Sequence, residues 1–440
     1  MSSIYRTINT QLLAWKQRPS RKPLVLRGAR QVGKTHALQE FGEREFRTCH
    51  LVNFQELPEL SSLFDGALTA ATIIESLQLA LDIDIDISHD LLIFDEIQDC
   101  PRALISVKYF CEQMPELALC CAGSLLGVVH AEASFPVGKV SFMDLYPLTF
   151  IEFLGALGEQ RMADFVVKLG RQSVIAEPVH QRLQGLLQEY LVVGGLPEVV
   201  DLYRDIRSNR KQAFEQVRGL QQDLLNGYIR DFAQHSAGVR PDRLLAVLTS
   251  IPAQLAKESK KFVTSKVISG GRYSILQSAV DWLEGAGLVL KVPIANVGEL
   301  PFSAFTQENR FKLYFFDTGL LGALAQLSPA VLVTEADLFA TFKGAFCENF
   351  VAQEFTARGK PLYSWASNTA EIEFMLEVDG QVLPVEVKSG NSGKLKSLNV
   401  FAQKYRSPYR TRFSARNLEI NQKAAMHSYP LYLSGRFPLA

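Results

Sequence analysis

The sequence predicts an α/β chain organised on a parallel sheet, and three observations carry that reading. The runs Leu24-Val25-Leu26, Leu91-Leu92-Ile93-Phe94 and Leu117-Ala118-Leu119-Cys120-Cys121-Ala122 are apolar without alternation, as strands covered on both faces should be. Stretches of helical period separate them, His36 to Phe41 being the first. Each run also ends in residues suited to chemistry at the carboxyl edge of such a sheet.

The first run enters Gly28-Ala29-Arg30-Gln31-Val32-Gly33-Lys34-Thr35, a complete G-x-x-x-x-G-K-[ST] pattern. Its glycines let the backbone turn so that successive N–H groups point at one anion. Lys34 reaches the β- and γ-phosphates, and the Thr35 hydroxyl holds Mg2+. The helix that follows adds its positive end to the field on the phosphates. Strand, loop and helix in this order predict a P-loop NTPase core that binds ATP with Mg2+ through Gly28, Ala29, Arg30, Gln31, Val32, Gly33, Lys34 and Thr35.

The second run ends in Asp95, expected in the magnesium shell with Thr35, and Glu96, expected to polarise the attacking water. The third runs into Gly123-Ser124. Ser124 either contacts the γ-phosphate or the attacking water, or is only a strand-ending turn residue. Lys34, Glu96 and Ser124 are therefore the candidate catalytic residues.

Composition bounds the remaining classes. A chain of 440 residues suits two to four domains, and 47% hydrophobic with 21% charged residues is enough for sizeable cores. The 46 basic and 46 acidic residues cancel, so no global field draws polyanions and any nucleic-acid contact must come from local patches. The six cysteines (Cys49, Cys100, Cys111, Cys120, Cys121, Cys347) form no C-x-x-C pair and have no histidine at zinc-ligand spacing. A reducing cytoplasm is the expected location. No targeting segment opens the chain, and its longest apolar run, near Leu117 to Val129, is too short for a bilayer, so no membrane role is expected. The histidines are scattered, no G-x-S-x-G elbow is present and Cys347 has no evident base, which gives little support to nucleophilic hydrolase chemistry.

Along the chain, residues 1–155 form the ATPase core. Residues 156–238 turn helical, with Leu183, Leu186, Leu187, Tyr190 and Leu191 on one face, and read as a lid. Residues 239–300 place short helices before the strand-like Leu288-Val289-Leu290-Lys291-Val292, the pattern of a winged helix. There Lys257, Lys260, Lys261, Lys266 and Arg272, interleaved with Phe262 and Tyr273, form either a phosphate-contacting cluster or a solvated helix face. Residues 301–440 are expected to form a separate C-terminal domain.

Taken together, the sequence resembles the widespread prokaryotic AAA-type ATPases that join an N-terminal ATPase to a C-terminal domain of unknown function. The likeness covers nearly the whole chain. It is carried by Leu26 to Thr35, Phe94-Asp95-Glu96-Ile97-Gln98, Phe135 to Val140, Leu145-Tyr146-Pro147-Leu148-Thr149-Phe150-Ile151-Glu152-Phe153, Gly194-Gly195-Leu196-Pro197 and Phe316-Asp317-Thr318-Gly319-Leu320-Leu321. The resemblance implies an ATPase core, a helical lid, a winged-helix-like region and a C-terminal α/β half resembling restriction-endonuclease folds. It places Ser124 at the sensor position and implies a homo-oligomer in which a neighbouring subunit supplies an arginine. Lys139 and Arg230 are candidate trans-acting bases that spacing does not separate from surface residues.

The C-terminal half can also be read from its own residues. Gly344 to Phe355 fits a helix with Phe346, Phe350, Val351 and Phe355 toward the core. Glu371 to Leu376, a Val378-Asp379-Gly380 turn and Val382 to Lys388 make a hairpin, which brings an acid on one strand beside E-x-K on the next. In nucleases that this resembles, Glu373 and Glu386 would bind magnesium, Lys388 would orient water and Glu348 would assist from the helix. E-x-K is equally the pattern of an ion pair, and Glu373 stands where such sites carry an aspartate. Beyond it, Lys388, Lys394, Lys396, Lys404, Arg406, Arg410, Arg412 and Arg416, with Tyr405 and Tyr409, form a basic stripe suited to a phosphate backbone or to a solvated surface.

The expected function is an ATP-hydrolysing AAA-type switch or motor working on DNA or a protein partner. The alternatives are an ATP-licensed metal-dependent nuclease and a nucleotide-gated binding module with an inactive nuclease-like fold.

Overall fold

The computed structural model describes residues 5–66, 69–124, 138–236, 238–257, 259–329, 340–390 and 395–439. Phe135, Pro136, Val137 and Lys394 lie outside them. The chain divides into two compact units, residues 1–146 with Gly285–Gly287, and the rest.

In the first unit, β1 (Leu24–Gly28), β2 (Cys49–Asn53), β3 (Leu91–Asp95), β4 (Ala118–Ser124) and β5 (Ser141–Asp144) form one sheet in the order β2-β3-β4-β1-β5. Every pairing is parallel. β3 is buried from end to end, which is why its sequence lacks alternation. The helices α1 (Ile8–Lys16), α2 (Lys34–Glu45), α3 (Ala70–Leu81) and α4 (Pro101–Gln113) connect and cover the strands. Thr69 caps α3 by accepting the Thr72 N–H, and α4 opens on a proline whose missing N–H costs nothing in a first turn. Phe54, Phe64, Phe94 and Phe110 pack edge to face at ring separations of 5.6–6.0 Å in the core beside β3. β1, between β4 and β5, aims its carboxyl end into the loop that starts α2.

The second unit begins with helices Phe150–Ala156, Gln160–Lys168, Glu177–Val193, Pro197–Ile206, Arg210–His235 and Pro241–Leu255. Its sheet contains β6 (Val289–Ala295), β7 (Thr306–Phe315), β8 (Tyr363–Ala366), β9 (Glu371–Val378), β10 (Gln381–Val387), β11 (Arg410–Ser414), β12 (Glu419–Asn421) and β13 (Met426–Pro430). Their order is β12-β13-β11-β10-β9-β8-β6-β7. β6, the strand expected after the short helices, pairs antiparallel with β7 and parallel with β8, so one sheet runs from Val289 into the C-terminal strands. β9 and β10 pair antiparallel around Asp379 and Gly380, both at positive φ, as the sequence predicts. The predicted C-terminal helix is Ala340–Ala357, with Phe346, Phe350, Val351 and Phe355 fully buried.

Three of the shared sequence signatures meet inside this second unit. The Leu148 N–H donates to the Gly195 carbonyl at 2.6 Å and the Gly195 N–H to Asp317 Oδ2 at 2.7 Å. Asp317 also caps the helix Thr318–Leu324 through the Leu320 N–H at 2.9 Å. The Phe150 N–H donates to Glu354 and the Thr318 N–H to Gln353, both acceptors lying on Ala340–Ala357. Gly194 must be glycine, since its φ is +78° and a Cβ would overlap the Asp317 carboxylate.

Candidate nucleotide site and a second charged cluster

The eight-residue loop adopts the conformation its glycines permit. Gly33 has φ 89° and stands as the N-cap of α2, while Gly28 lies against the Leu145 carbonyl, where a Cβ would collide. Buried Arg6 holds the loop from behind, donating to the Val32 carbonyl at 3.0 Å and the Tyr146 carbonyl at 2.6 Å. The Lys34 ammonium lies within the loop, bonded to the Gly28 and Ala29 carbonyls at 3.1 and 2.9 Å. Burial pushes it down to about 8, against the pull of Glu96 and Asp95.

Sixty residues separate Thr35 from Asp95, yet the Thr35 hydroxyl donates to both carboxylate oxygens, at 3.1 and 2.9 Å. Asn53 at the end of β2 donates to Asp95 Oδ2 at 3.2 Å. Burial raises the Asp95 carboxyl, and the Thr35 bond opposes that rise. This set of hard oxygen donors beside an ammonium fits Mg2+. Glu96 follows in a left-handed conformation (φ 48°), so its side chain leaves the strand direction, and its carboxylate accepts from the Gln98 amide. Ser124 ends β4 opposite Gly28; its side chain lies outside the described residues. Lys139 pairs with Glu112 at 2.7 Å, and Arg230 is exposed on its helix.

Sequence reasoning gave no site role to Arg6, Asn53 or Gln98. Only Asn53 and Gln98 leave a signal, one as the polar residue closing an apolar strand and the other as the residue two beyond Glu96.

The second cluster, in the other unit, gathers Glu348, Glu373, Glu386 and Lys388, but as an ion-pair network. Lys388 pairs with Glu386 Oε1 at 2.7 Å. Glu348 takes the Lys260 ammonium on one oxygen and the Tyr314 hydroxyl, at 3.2 Å, on the other. Lys312 reaches Glu371 at 2.5 Å. Glu373 accepts from the Val387 N–H at 3.4 Å, and its carboxyl is pushed well up by burial and by neighbouring Glu348. Mg2+ demands near-octahedral oxygen coordination, whereas Glu348 and Glu386 are turned toward ammoniums and Glu373 toward a backbone N–H. Among the described residues no group of three or more His, Cys, Asp or Glu is placed to hold a metal ion.

Both basic runs are divided by the fold. Lys260 is drawn onto Glu348, and Phe262 and Tyr273 pack on Phe311 at 5.2 and 5.4 Å, leaving Lys266 and Arg272 exposed. In the tail, Arg412 is buried and bonded to Ser428, whereas Lys396, Lys404 and Arg406 are exposed.

Residues 20–154 match the AAA domain family. They contain the whole phosphate loop, Asp95 and Glu96, and support an AAA-type nucleotide-binding domain. Residues 184–331 and 343–432 match two families described as domains of unknown function, DUF8612 and DUF4143. No curated protein matches the chain. Among solved structures, a Walker-type ATPase of Pyrococcus abyssi is 13% identical, with 73% of this chain and 96% of that chain covered and a TM-score of 0.48. Drosophila ORC bound to DNA is 16% identical over 74% and 94%, with a TM-score of 0.29. C. elegans PCH-2 is 10% identical over 46% and 62%, with a TM-score of 0.28. Among the described residues no helix is long and apolar enough to cross a membrane.

Proposed function

We propose that this chain is an AAA-type ATPase whose nucleotide cycle drives its second unit as a switch or motor on DNA or a protein partner. The observation that carries the reading is the Thr35 hydroxyl on the Asp95 carboxylate beside the buried Lys34 ammonium. The loop N–H groups of Gly28 to Thr35 bind the phosphates and Lys34 orients the terminal ones. Thr35 and Asp95 hold Mg2+, which when bound neutralises charge on the phosphate oxygens. Glu96 accepts the proton of the attacking water once Gln98 yields its carboxylate. Ser124 assists at the sensor position, and an arginine from a second copy in a cytoplasmic homo-oligomer completes the site.

We read residues 301–440 as a nuclease-like fold used for binding rather than cutting. The ion pairing of Glu348 and Glu386 favours that reading over an ATP-licensed nuclease.

The test is ATP binding and turnover by Lys34→Ala and Glu96→Gln. Lys34→Ala should lose binding. Glu96→Gln should bind ATP normally yet hydrolyse it roughly a hundredfold more slowly. Unchanged turnover in Glu96→Gln rejects the role given to Glu96, and Mg2+-dependent DNA cutting that disappears in Lys388→Ala favours the nuclease.

A further inference from the structure

We propose that Gln98 is a catalytic residue: its amide oxygen and the Glu96 carboxylate bind the attacking water between them. The inference rests on the ATPase reading above and gives that water a second acceptor.

Gln98 sits in a single 3-10 turn, Ile97–Asp99, for which Glu96 is the N-cap. The Asp99 N–H donates to the Glu96 carbonyl at 2.9 Å and the Cys100 N–H to the Ile97 carbonyl at 3.1 Å. Ile97 is fully buried in the core beside β3, and α4 starts at Pro101. The backbone of Gln98 is therefore held between a buried anchor and a helix start. Glu96 enters this turn at φ 48°, a conformation unfavourable for a residue with a Cβ. Strain of this kind persists where a site needs the side chain that it aims.

What the turn aims is an amide at an acid. Gln98 Nε2 donates to Glu96 Oε2, while Gln98 Oε1 is buried with no hydrogen-bond partner among the described residues. A buried amide oxygen left alone is costly and calls for a partner that comes and goes. That partner must bring a donor, which a phosphate oxygen lacks and water has. The Glu96 charge also acts on the buried Lys34 ammonium more strongly than the Asp95 charge does, so the pair faces the side of the loop where Lys34 meets the terminal phosphate.

In the step so assigned, water enters between the two side chains as Gln98 yields the carboxylate. It donates one O–H to Gln98 Oε1 and the other to Glu96. Its oxygen forms a bond to the γ-phosphorus as the bond to the bridging oxygen breaks, and that electron pair leaves with ADP. The proton facing Glu96 passes to its carboxylate, and the other stays on the phosphate formed.

The experiment is ATP turnover and nucleotide binding by the full chain. Gln98→Met keeps the length of the side chain and removes both amide atoms. Its turnover should fall by about 10- to 100-fold, as expected for one hydrogen bond lost to a group gaining charge, with ATP affinity unchanged. A merely structural role would not touch the binding of ADP with aluminium fluoride, which mimics the phosphoryl group in transfer. The parent should bind this mimic more tightly than ADP alone, and Gln98→Met should lose that advantage. Gln98→Asn, whose amide falls one methylene short, should show the same losses if the methionine variant fails to fold. The double variant Glu96→Gln with Gln98→Met should be no slower than Glu96→Gln, since both groups serve one water. Unchanged or faster turnover in a folded Gln98 variant overturns the inference, as does slower turnover with the aluminium fluoride advantage intact. If Glu96→Gln also keeps full turnover, the reading of Glu96 as base fails; if only the Gln98 variants keep it, this inference alone fails.

Discussion

The Gly195 amide donates to Asp317 at 2.7 Å across 122 residues of sequence, and that bond joins two of the signatures by which the chain is recognised. Neither lies among the residues that hold nucleotide. Asp317 simultaneously caps the helix Thr318–Leu324, so one buried carboxylate organises two turns. Asp317→Ala would leave the buried Gly195 and Leu320 N–H groups without an acceptor, at about 1–3 kcal/mol each. A marked fall in melting temperature is expected, with the urea midpoint shifted in the same direction.

Stability should also depend on pH through two buried acids of this region. Burial pushes Asp317 from 3.8 up to about 6 and Glu354 from 4.5 up to about 8. The native state therefore holds more protons than the unfolded chain between those values. The stability these groups contribute is complete in acid and declines as pH rises toward about 8. Each pKa unit corresponds to about 1.4 kcal/mol, so the effect of Glu354 is of the order of a few kcal/mol. Glu354→Gln keeps an oxygen for the Phe150 N–H and should flatten the decline, as denaturant midpoints at about pH 5 and about pH 8 will show. An equally steep decline in the variant rejects the assignment.

Thr35→Val removes the hydroxyl but keeps the side-chain volume. It should weaken Mg2+-dependent ATP binding by about 2 kcal/mol or more and, because it also removes the donor to buried Asp95, lower the melting temperature without nucleotide. Calorimetric titration with and without Mg2+ separates the two effects; an equal loss in both would show that Thr35 serves only the loop.

If a second copy supplies the arginine, turnover per subunit should rise with protein concentration. Activity measured across a dilution series beside light scattering checks this, and full activity in a strictly monomeric sample removes the requirement.

Exposed Lys396, Lys404 and Arg406 should give DNA binding that weakens steeply with salt, because each phosphate they neutralise releases counterions. Replacing all three by glutamate should lower affinity for every sequence alike and reduce the salt slope by about one for each phosphate no longer neutralised. No binding at low salt would make a protein the better partner.

Local chemistry alone determined the nucleotide site's parts. Gly33 reaches a positive φ because it lacks a Cβ, the β3 run is apolar because both its faces are covered, and acids at its end fall at the sheet's carboxyl edge. Spacing likewise determined the β9–β10 hairpin, since its turn and alternation are properties of adjacent residues. Tertiary structure alone decided what distant residues do to one another. It brought Arg6 under the loop, Asn53 onto Asp95 and Lys260 onto Glu348, and it joined β6 to β8, strands about 70 residues apart in sequence, in one sheet. It also took Lys388 and Arg412 out of a stripe that looked continuous, because a charge's role depends on whether water or a buried partner solvates it, and sequence order carries no record of that.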